Sequence, residues 1–337
     1  MVCYKPLQAT FVLREDGKKE IAFSNTLAEL HDKDKSAVFK LPNSIQIPCG
    51  RCVGCRLEKS RQWAMRCMHE AQLHENNCFV TLTFNNENLP KDRSVDVKVF
   101  QNFMKRLRKR FGVGIRFFHC GEYGEVCAYC GKSEYYCNCL KFKPVLGRPH
   151  YHVIIFGHDF SDKVLWSNKR GVKLYISAEL QKLWPFGFSS IGDVTFKSCA
   201  YVARYVMKKI NGKPAKDHYR YVDPDSGEIF QRKPEYITMS RRGGIGKDFF
   251  NKYVDDIYPD DYIVVNNKKM KPPKYYDNLF ESSFPYDFEI IKDIRQRKRQ
   301  KLVDDRPKEF LKTRLGVKER LKNNSVVKLI RTFTKGD

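Results

Sequence analysis

Gly147-Arg148-Pro149-His150-Tyr151-His152-Val153-Ile154-Ile155-Phe156-Gly157 is the stretch from which the fold can be worked out. Val153 to Phe156 is a β-branched and aromatic run closed by Gly157, so it reads as a strand. Alternate residues of a strand point to one face, and His150 and His152 therefore project side by side. Two imidazoles at that spacing can hold one divalent cation, with their backbones fixed by the ladder. A second stretch follows, Tyr201-Val202-Ala203-Arg204-Tyr205-Val206-Met207-Lys208-Lys209. It has helical character, and Tyr201 and Tyr205 lie four residues apart, which puts both phenols on one face with roughly 5–6 Å between Cβ atoms.

Working outward, Ile115 to Cys120 reads as a neighbouring strand that ends at Gly121-Glu122-Tyr123-Gly124. If the cysteine-rich segment behind it loops out, Glu122 stands beside the histidine strand and can complete a ligand set. Phe79 to Phe84 is a further strand, stopped by Asn85-Asn86. Between these strands Phe100, Phe103, Met104, Leu107 and Phe111 form an apolar helical stripe, and Leu57 to His74 is an amphipathic helix. After Gly157 come a polar excursion, a short helix at Ala178 to Leu183, a strand from Phe188 to Val194, and the tyrosine helix. That order predicts an α+β fold, a mostly antiparallel central sheet with flanking helices. The organisation expected is an N-terminal cysteine-rich arm and helix (1–77), a core (78–212) with a cysteine-rich insert (125–147), a core extension (213–285) and a basic helical tail (286–337).

Lys and Arg number 63 against 39 Asp and Glu, a formal charge of +24, which is the footprint of a protein that sits on nucleic acid or an anionic membrane. No apolar run approaches the ~20 residues of a membrane span, and Met1-Val2-Cys3-Tyr4-Lys5-Pro6 has no apolar signal core. Nucleic acid is the expected partner and the cytoplasm the expected compartment. A divalent metal beside a tyrosine beside a polyanion suits transesterification of a phosphodiester. An unperturbed phenol titrates near pH ~10, so its activation must come from the metal's field or a nearby base. Lys208 and Lys209, one turn past Tyr205, can stabilise a phenolate or bind phosphate.

Twelve cysteines fall into clusters with metal-ligand spacing. Cys127, Cys130, Cys137 and Cys139 can close a tetrahedral structural zinc site. Cys49, Cys52 and Cys55 need a fourth ligand, with Cys3 the first candidate and Cys67 and His69 its rivals. Arg241-Arg242-Gly243-Gly244-Ile245-Gly246-Lys247 resembles a phosphate loop. It lacks the full pattern, because Arg241 replaces the first glycine and Asp248 follows Lys247, so nucleotide hydrolysis is rejected. Arg241, Arg242 and Arg148 are instead candidates for contacts to a DNA backbone.

Taken in order, Cys3-Tyr4, Pro48-Cys49-Gly50 through Cys55-Arg56, Ser60 to Ala64, Phe79 to Phe84, Gly121-Glu122-Tyr123-Gly124, Arg148-Pro149-His150-Tyr151-His152, Trp184-Pro185-Phe186-Gly187, Ser198 to Lys209, Met239-Ser240-Arg241-Arg242 and Pro272 to Asp277 span nearly the whole chain. In these motifs the sequence resembles the replication initiators of small circular single-stranded DNA phages, the gokushovirus-type microviruses, within the HUH endonuclease superfamily. The resemblance implies that His150, His152 and Glu122 bind a catalytic Mg2+ or Mn2+ and that Tyr201 and Tyr205 are paired nucleophiles. It implies rolling-circle initiation on viral origin DNA in the cytoplasm of a host bacterium, with a host helicase and polymerase as partners. The chain departs from the family in its Cys127–Cys139 insert and in Gly243, where a proline is expected. A plasmid initiator, relaxase or transposase of the same chemistry is the alternative within the enzyme class. A zinc-stabilised DNA-binding protein without catalysis is the alternative outside it.

Overall fold

A computed structural model describes residues 3–13, 19–23, 44–130, 132, 136–141, 143–169, 171–204, 213–223, 226–258, 260–265, 267–306 and 312–333. They form two compact units, one of residues 59–292 and one of the residues up to 58 together with those from 293 onward. The opening residues carry three antiparallel strands, β1 (Leu7–Leu13), β2 (Lys19–Phe23) and β3 (Ser44–Ile47), in the order β2-β1-β3. The sequence pattern of this region reads only as mixed and turn-rich. Helix α1 (Val53–Ala71) follows, in the place of the expected amphipathic helix.

The larger unit is built on one antiparallel seven-stranded sheet, order β12-β5-β6-β4-β9-β8-β7. In chain order its elements are β4 (Asn77–Thr83), α2 (Val97–Phe111), β5 (Arg116–Cys127), β6 (Pro144–Phe156), β7 (Val164–Lys169), β8 (Val172–Ile176), α3 (Ala178–Leu183), β9 (Ser189–Gly192) and α4 (Phe196–Arg204). After α5 (Lys213–His218) and the hairpin of β10 (Arg220–Val222) and β11 (Ile229–Gln231), β12 (Tyr236–Met239) adds itself to the free side of β5. The expected α+β class and antiparallel sheet are what the structure shows. Two details differ. The polar excursion after Gly157 contains the β7–β8 hairpin that completes one edge of the sheet. Strand β5 does not stop at Cys120 but runs through both glycines to Cys127. Gly121 is there because a Cβ would lie 2.6 Å from the Tyr236 ring packed against it, so this glycine permits close approach and does not end the strand.

Strand parity distributes the side chains between two cores. Tyr151, Val153 and Ile155 of β6 face α2 and α3, where Phe100, Phe103, Met104, Leu107, Leu180 and Trp184 are buried. Helix α2 begins where the Asp96 side chain accepts from the Lys98 amide, and its apolar spacing brings those four residues to the sheet. Burying each stabilises the fold by roughly 1.5–3 kcal/mol. Ile154 and Phe156 face the other way, with Phe118 and Cys120 of β5, onto Ala64 and Cys67 of α1 and Cys199, Val202 and Ala203 of α4. His150, His152 and Glu122 share the parity of this second face.

Met65 of α1 enters a third core with helices α6 (Lys247–Ile257) and α7 (Lys274–Ser283), Ile263 of the short hairpin β13 (Ile263–Val265) and β14 (Lys268–Met270), and the first turns of α8 (Pro285–Asp305). Helix α9 (Lys312–Phe333) ends the described chain, so the basic tail is helical as expected. No helix among the described residues is long and apolar enough to cross a membrane.

Candidate active site

Antiparallel pairing sets Glu122 of β5 opposite His150 of β6 and Cys120 opposite His152. On the other side of β6, β4 sets Thr83 opposite His150 and Thr81 opposite His152. The cysteine insert lies at the tip of the β5–β6 hairpin, beyond the pairs Glu125↔Leu146 and Cys127↔Pro144. Its length therefore leaves the register at Glu122 and His150 untouched, and the long separation in sequence becomes a cross-strand neighbour.

One carboxylate oxygen, Glu122 Oε1, lies 2.8 Å from Nε2 of His150 and 2.8 Å from Nε2 of His152. Glu122 and His152 are buried, whereas His150 is half-buried and marks the open side. His150 Nδ1 lies 3.3 Å from the Arg148 carbonyl oxygen, which can only accept, so Nδ1 carries the proton. A neutral His150 then aims the lone pair of Nε2 at a carboxylate oxygen, and a cation or proton must lie between them. His152 Nδ1 is held at 3.0 Å by the Thr81 hydroxyl, which fixes the ring with Nε2 toward Glu122. Two imidazoles and a carboxylate whose ligand atoms lie within 4.8 Å of one another are a donor set suited to one divalent cation.

Tyr201 comes to this site from α4. The helix is started by reciprocal bonds, Thr195 N to Ser198 Oγ at 2.8 Å and Ser198 N to Thr195 Oγ1 at 3.1 Å, in the pattern of a capping box. Buried Cys199, Val202 and Ala203 then press it onto the sheet, leaving Tyr201 half-buried with its ring edge-on to His152, centroids 5.1 Å apart. Tyr205, Lys208 and Lys209 lie outside the described residues. Arg148 is exposed at the rim, where its guanidinium donates to the Phe84 carbonyl at 3.3 Å and to Asn86 Oδ1.

Arg241 and Arg242 are not brought to the triad. They follow β12, whose Met239 pairs with Phe118 near the Arg116 end of β5. At ~3.3 Å per residue Glu122 is about 20 Å along that strand. Both arginines are exposed, while their loop is tied from beneath: Arg116 donates to the Arg242 and Gly244 carbonyls at 2.8 and 2.9 Å, and buried Glu70 accepts from the Gly246 amide at 2.6 Å. Gly243 has φ +80°, which no proline can adopt, so this departure from the family goes with a different turn.

The cysteines assemble as two four-thiol sets. Cys3 joins Cys49, Cys52 and Cys55, with Cys3 to Cys49 at 3.6 Å and Cys3 to Cys52 at 3.8 Å. The rivals are engaged elsewhere: Cys67 is buried in the sheet core, and His69 Nδ1 bonds the Tyr276 hydroxyl at 2.9 Å. Burial pushes the Cys52 thiol up, but the Cys55 and Tyr4 amides outweigh it and bring it down to about 7, toward the thiolate a metal needs. Cys127, Cys130, Cys137 and Cys139 form the other set at the hairpin tip, with Cys130 and Cys137 sulfurs 3.6 Å apart.

Thr81 is the site residue that sequence reading missed. Parity within Phe79–Phe84 places it on one face with Phe79 and Thr83, but only the pairing of β4 with β6 says which face that is.

Fold and site thus define an α+β protein with a metal-competent carboxylate–imidazole cluster and a tyrosine on one sheet face. Residues 77–210, which hold that cluster, match the family model of the ORF2-type Replication-associated protein. The whole chain is 28% identical to Replication-associated protein ORF2 of Spiroplasma virus 4, covering 99% of that protein. Over 85% of the chain it is 29% identical to Replication-associated protein VP4 of Bdellovibrio phage phiMH2K, covering 79% of it. It is also 28% identical over 77% of its length to Replication-associated protein ORF4 of Chlamydia phage 1, covering 60% of it. No solved structure matches. The resemblance read from the motifs is borne out, and the chain belongs with the phage replication initiators, with a role in phage DNA replication.

Proposed function

We propose that this protein starts rolling-circle replication by nicking the viral origin in single-stranded or locally melted DNA, and later rejoins the strand to release single-stranded circles, as HUH endonucleases do. One observation supports this reading above others: Glu122, His150 and His152 converge on the sheet face where α4 presents Tyr201. These three residues hold Mg2+ or Mn2+, which when bound polarises a non-bridging oxygen of the scissile phosphate and offsets charge developing on it. Thr81 keeps His152 turned toward that position. The Tyr201 oxygen attacks phosphorus as its proton leaves, the bond to the 3′ oxygen breaks, and that oxygen takes up a proton. The strand is left with a 5′-phosphotyrosine and a free 3′-OH for a host polymerase.

Tyr205 is the second nucleophile, and Lys208 and Lys209 bind phosphate or stabilise a phenolate. Rejoining exchanges one phosphodiester for another and needs no ATP. The sequence carries no helicase motif, so strand separation falls to a host helicase in the bacterial cytoplasm. Arg148, Arg241 and Arg242 contact the DNA backbone. The test is a denaturing gel of single-stranded origin oligonucleotides incubated with the protein, with and without Mn2+. A metal-dependent protein-linked fragment is expected. A strand that stays intact while bound defeats the reading and leaves a DNA-binding protein.

Each four-thiol set holds structural zinc in this reading. Four sulfurs around zinc at ~2.3 Å stand about 3.8 Å apart in a tetrahedron, against 3.6 to 3.8 Å between the sulfurs here. The double substitution Cys130→Ser and Cys137→Ser is expected to remove about one zinc per chain while single-strand DNA affinity persists. Elemental analysis of the purified protein reads this directly. Unchanged zinc content would make these thiols ordinary reduced cysteines.

A further inference from the structure

Beyond the metal cluster, the same sheet face carries an exposed aromatic pair. Trp166 of β7 and Phe188, just before β9, have ring centroids 4.9 Å apart, and they remain 53% and 44% exposed. The other tryptophans are engaged: Trp184 is fully buried, and Trp63 lies under the Arg66 guanidinium, 4.0 Å from its centroid. Trp166 owes its direction to a β-bulge. Leu165 pairs with Tyr175 and Ser167 with Leu174, so Trp166 is the extra residue, and bulges of this kind turn a side chain out of the regular alternation.

The position of the pair relates it to the cluster. The Thr83 amide donates to the Phe188 carbonyl at 2.9 Å, continuing the pairing of Leu82 with Ser189. Thr83 is also opposite His150. One row across the sheet thus reads Glu122, His150, Thr83, Phe188, with their side chains on a common face. At ~4.8 Å per strand, Phe188 stands about 10 Å from His150. The hairpin segment from Lys163 to Ile176 contains Lys163, Lys169, Arg170 and Lys173 and no carboxylate.

We propose that Trp166 and Phe188 form a stacking platform for an unpaired base of the DNA strand, close to the phosphate that the cluster acts on. This rests on the nickase reading for its placement, but not for its test. A base offers a π-face to an exposed indole whatever its identity, and the basic hairpin supplies charge complementary to the backbone around it. Paired bases keep their faces covered, so the platform selects single strands.

The experiment titrates an oligothymidylate of about ten nucleotides into the full chain in chelator, following tryptophan fluorescence. Quenching of the exposed indole is expected. Trp166→Ala should weaken oligothymidylate binding about 10-fold, Trp166→Phe should retain most of the affinity, and the salt slope and the affinity for a duplex of equal length should not move. Unchanged oligothymidylate affinity in Trp166→Ala overturns the proposal, as does an equal loss for duplex, which would signal a general defect. Unchanged affinity accompanied by loss of self-association also overturns it and makes this edge a contact between copies. Failure of the wild-type protein to nick would leave the binding result standing, so the two readings fail separately.

Discussion

His152→Ala is expected to lower the rate of protein–DNA adduct formation on the order of 10³-fold, while single-strand affinity stays within about twofold of the parent. His152 is buried, shares Glu122 Oε1 with His150, and is held from behind by Thr81. Removing it takes away a ligand that a rigid strand cannot replace, and the effect falls on the transition state, where charge develops on the phosphate. Ground-state affinity comes instead from a chain carrying a charge of +24. Glu122→Ala should be milder, since a water can supply an oxygen ligand. Thr81→Val keeps shape but removes the hydroxyl at His152 Nδ1, and should weaken Mn2+ binding by about 10–100-fold in a calorimetric titration, with Thr81→Ser restoring it. Full adduct formation by His152→Ala in chelator-cleaned buffer with added Mn2+ would remove the metal assignment.

The parts of the site written in local spacing were legible in the sequence. Period two within His150–Phe156 gave the histidine pair, and the cysteine spacings gave two thiol sets, because in both cases the residues that must meet are close along the chain. Glu122 was legible once the insert was taken as a loop, since an insertion at a hairpin tip does not change register. What stayed hidden depended on partners far away in sequence. The choice of Cys3 over Cys67 and His69 rests on which neighbours surround those rivals, namely the sheet core and Tyr276. Strand β7 went unread because the bulge at Trp166 breaks its alternation. Gly121 looked like a stop signal, and only the Tyr236 ring packed over it explains a glycine inside a strand. The distance of Arg241 and Arg242 from the cluster follows from β12 pairing with β5, which no local pattern announces.

Tyr201→Phe combined with Tyr205→Phe is expected to abolish the covalent DNA adduct in a protein that folds normally. The phenylalanine ring can keep the edge-on contact to His152 and the packing on Phe79, whose centroid lies 6.3 Å from that of Tyr201, so what is lost is the nucleophilic oxygen. The single variants separate the roles. Each should retain initial cleavage within about 10-fold if either phenol reaches the phosphate from one helix face. Each should also fail to release closed circles over repeated rounds, because cutting the regenerated origin needs a free tyrosine while the other is esterified. Protein-linked DNA on a denaturing gel, scored beside circle yield, reads both steps in one experiment. The capped and buried frame of α4 fixes the Tyr201 ring beside the metal cluster whether or not its oxygen reacts, so it is the loss of circles, rather than the position of the ring, that marks a nucleophile. Undiminished circle release by Tyr201→Phe would assign it to packing and make this a single-tyrosine enzyme.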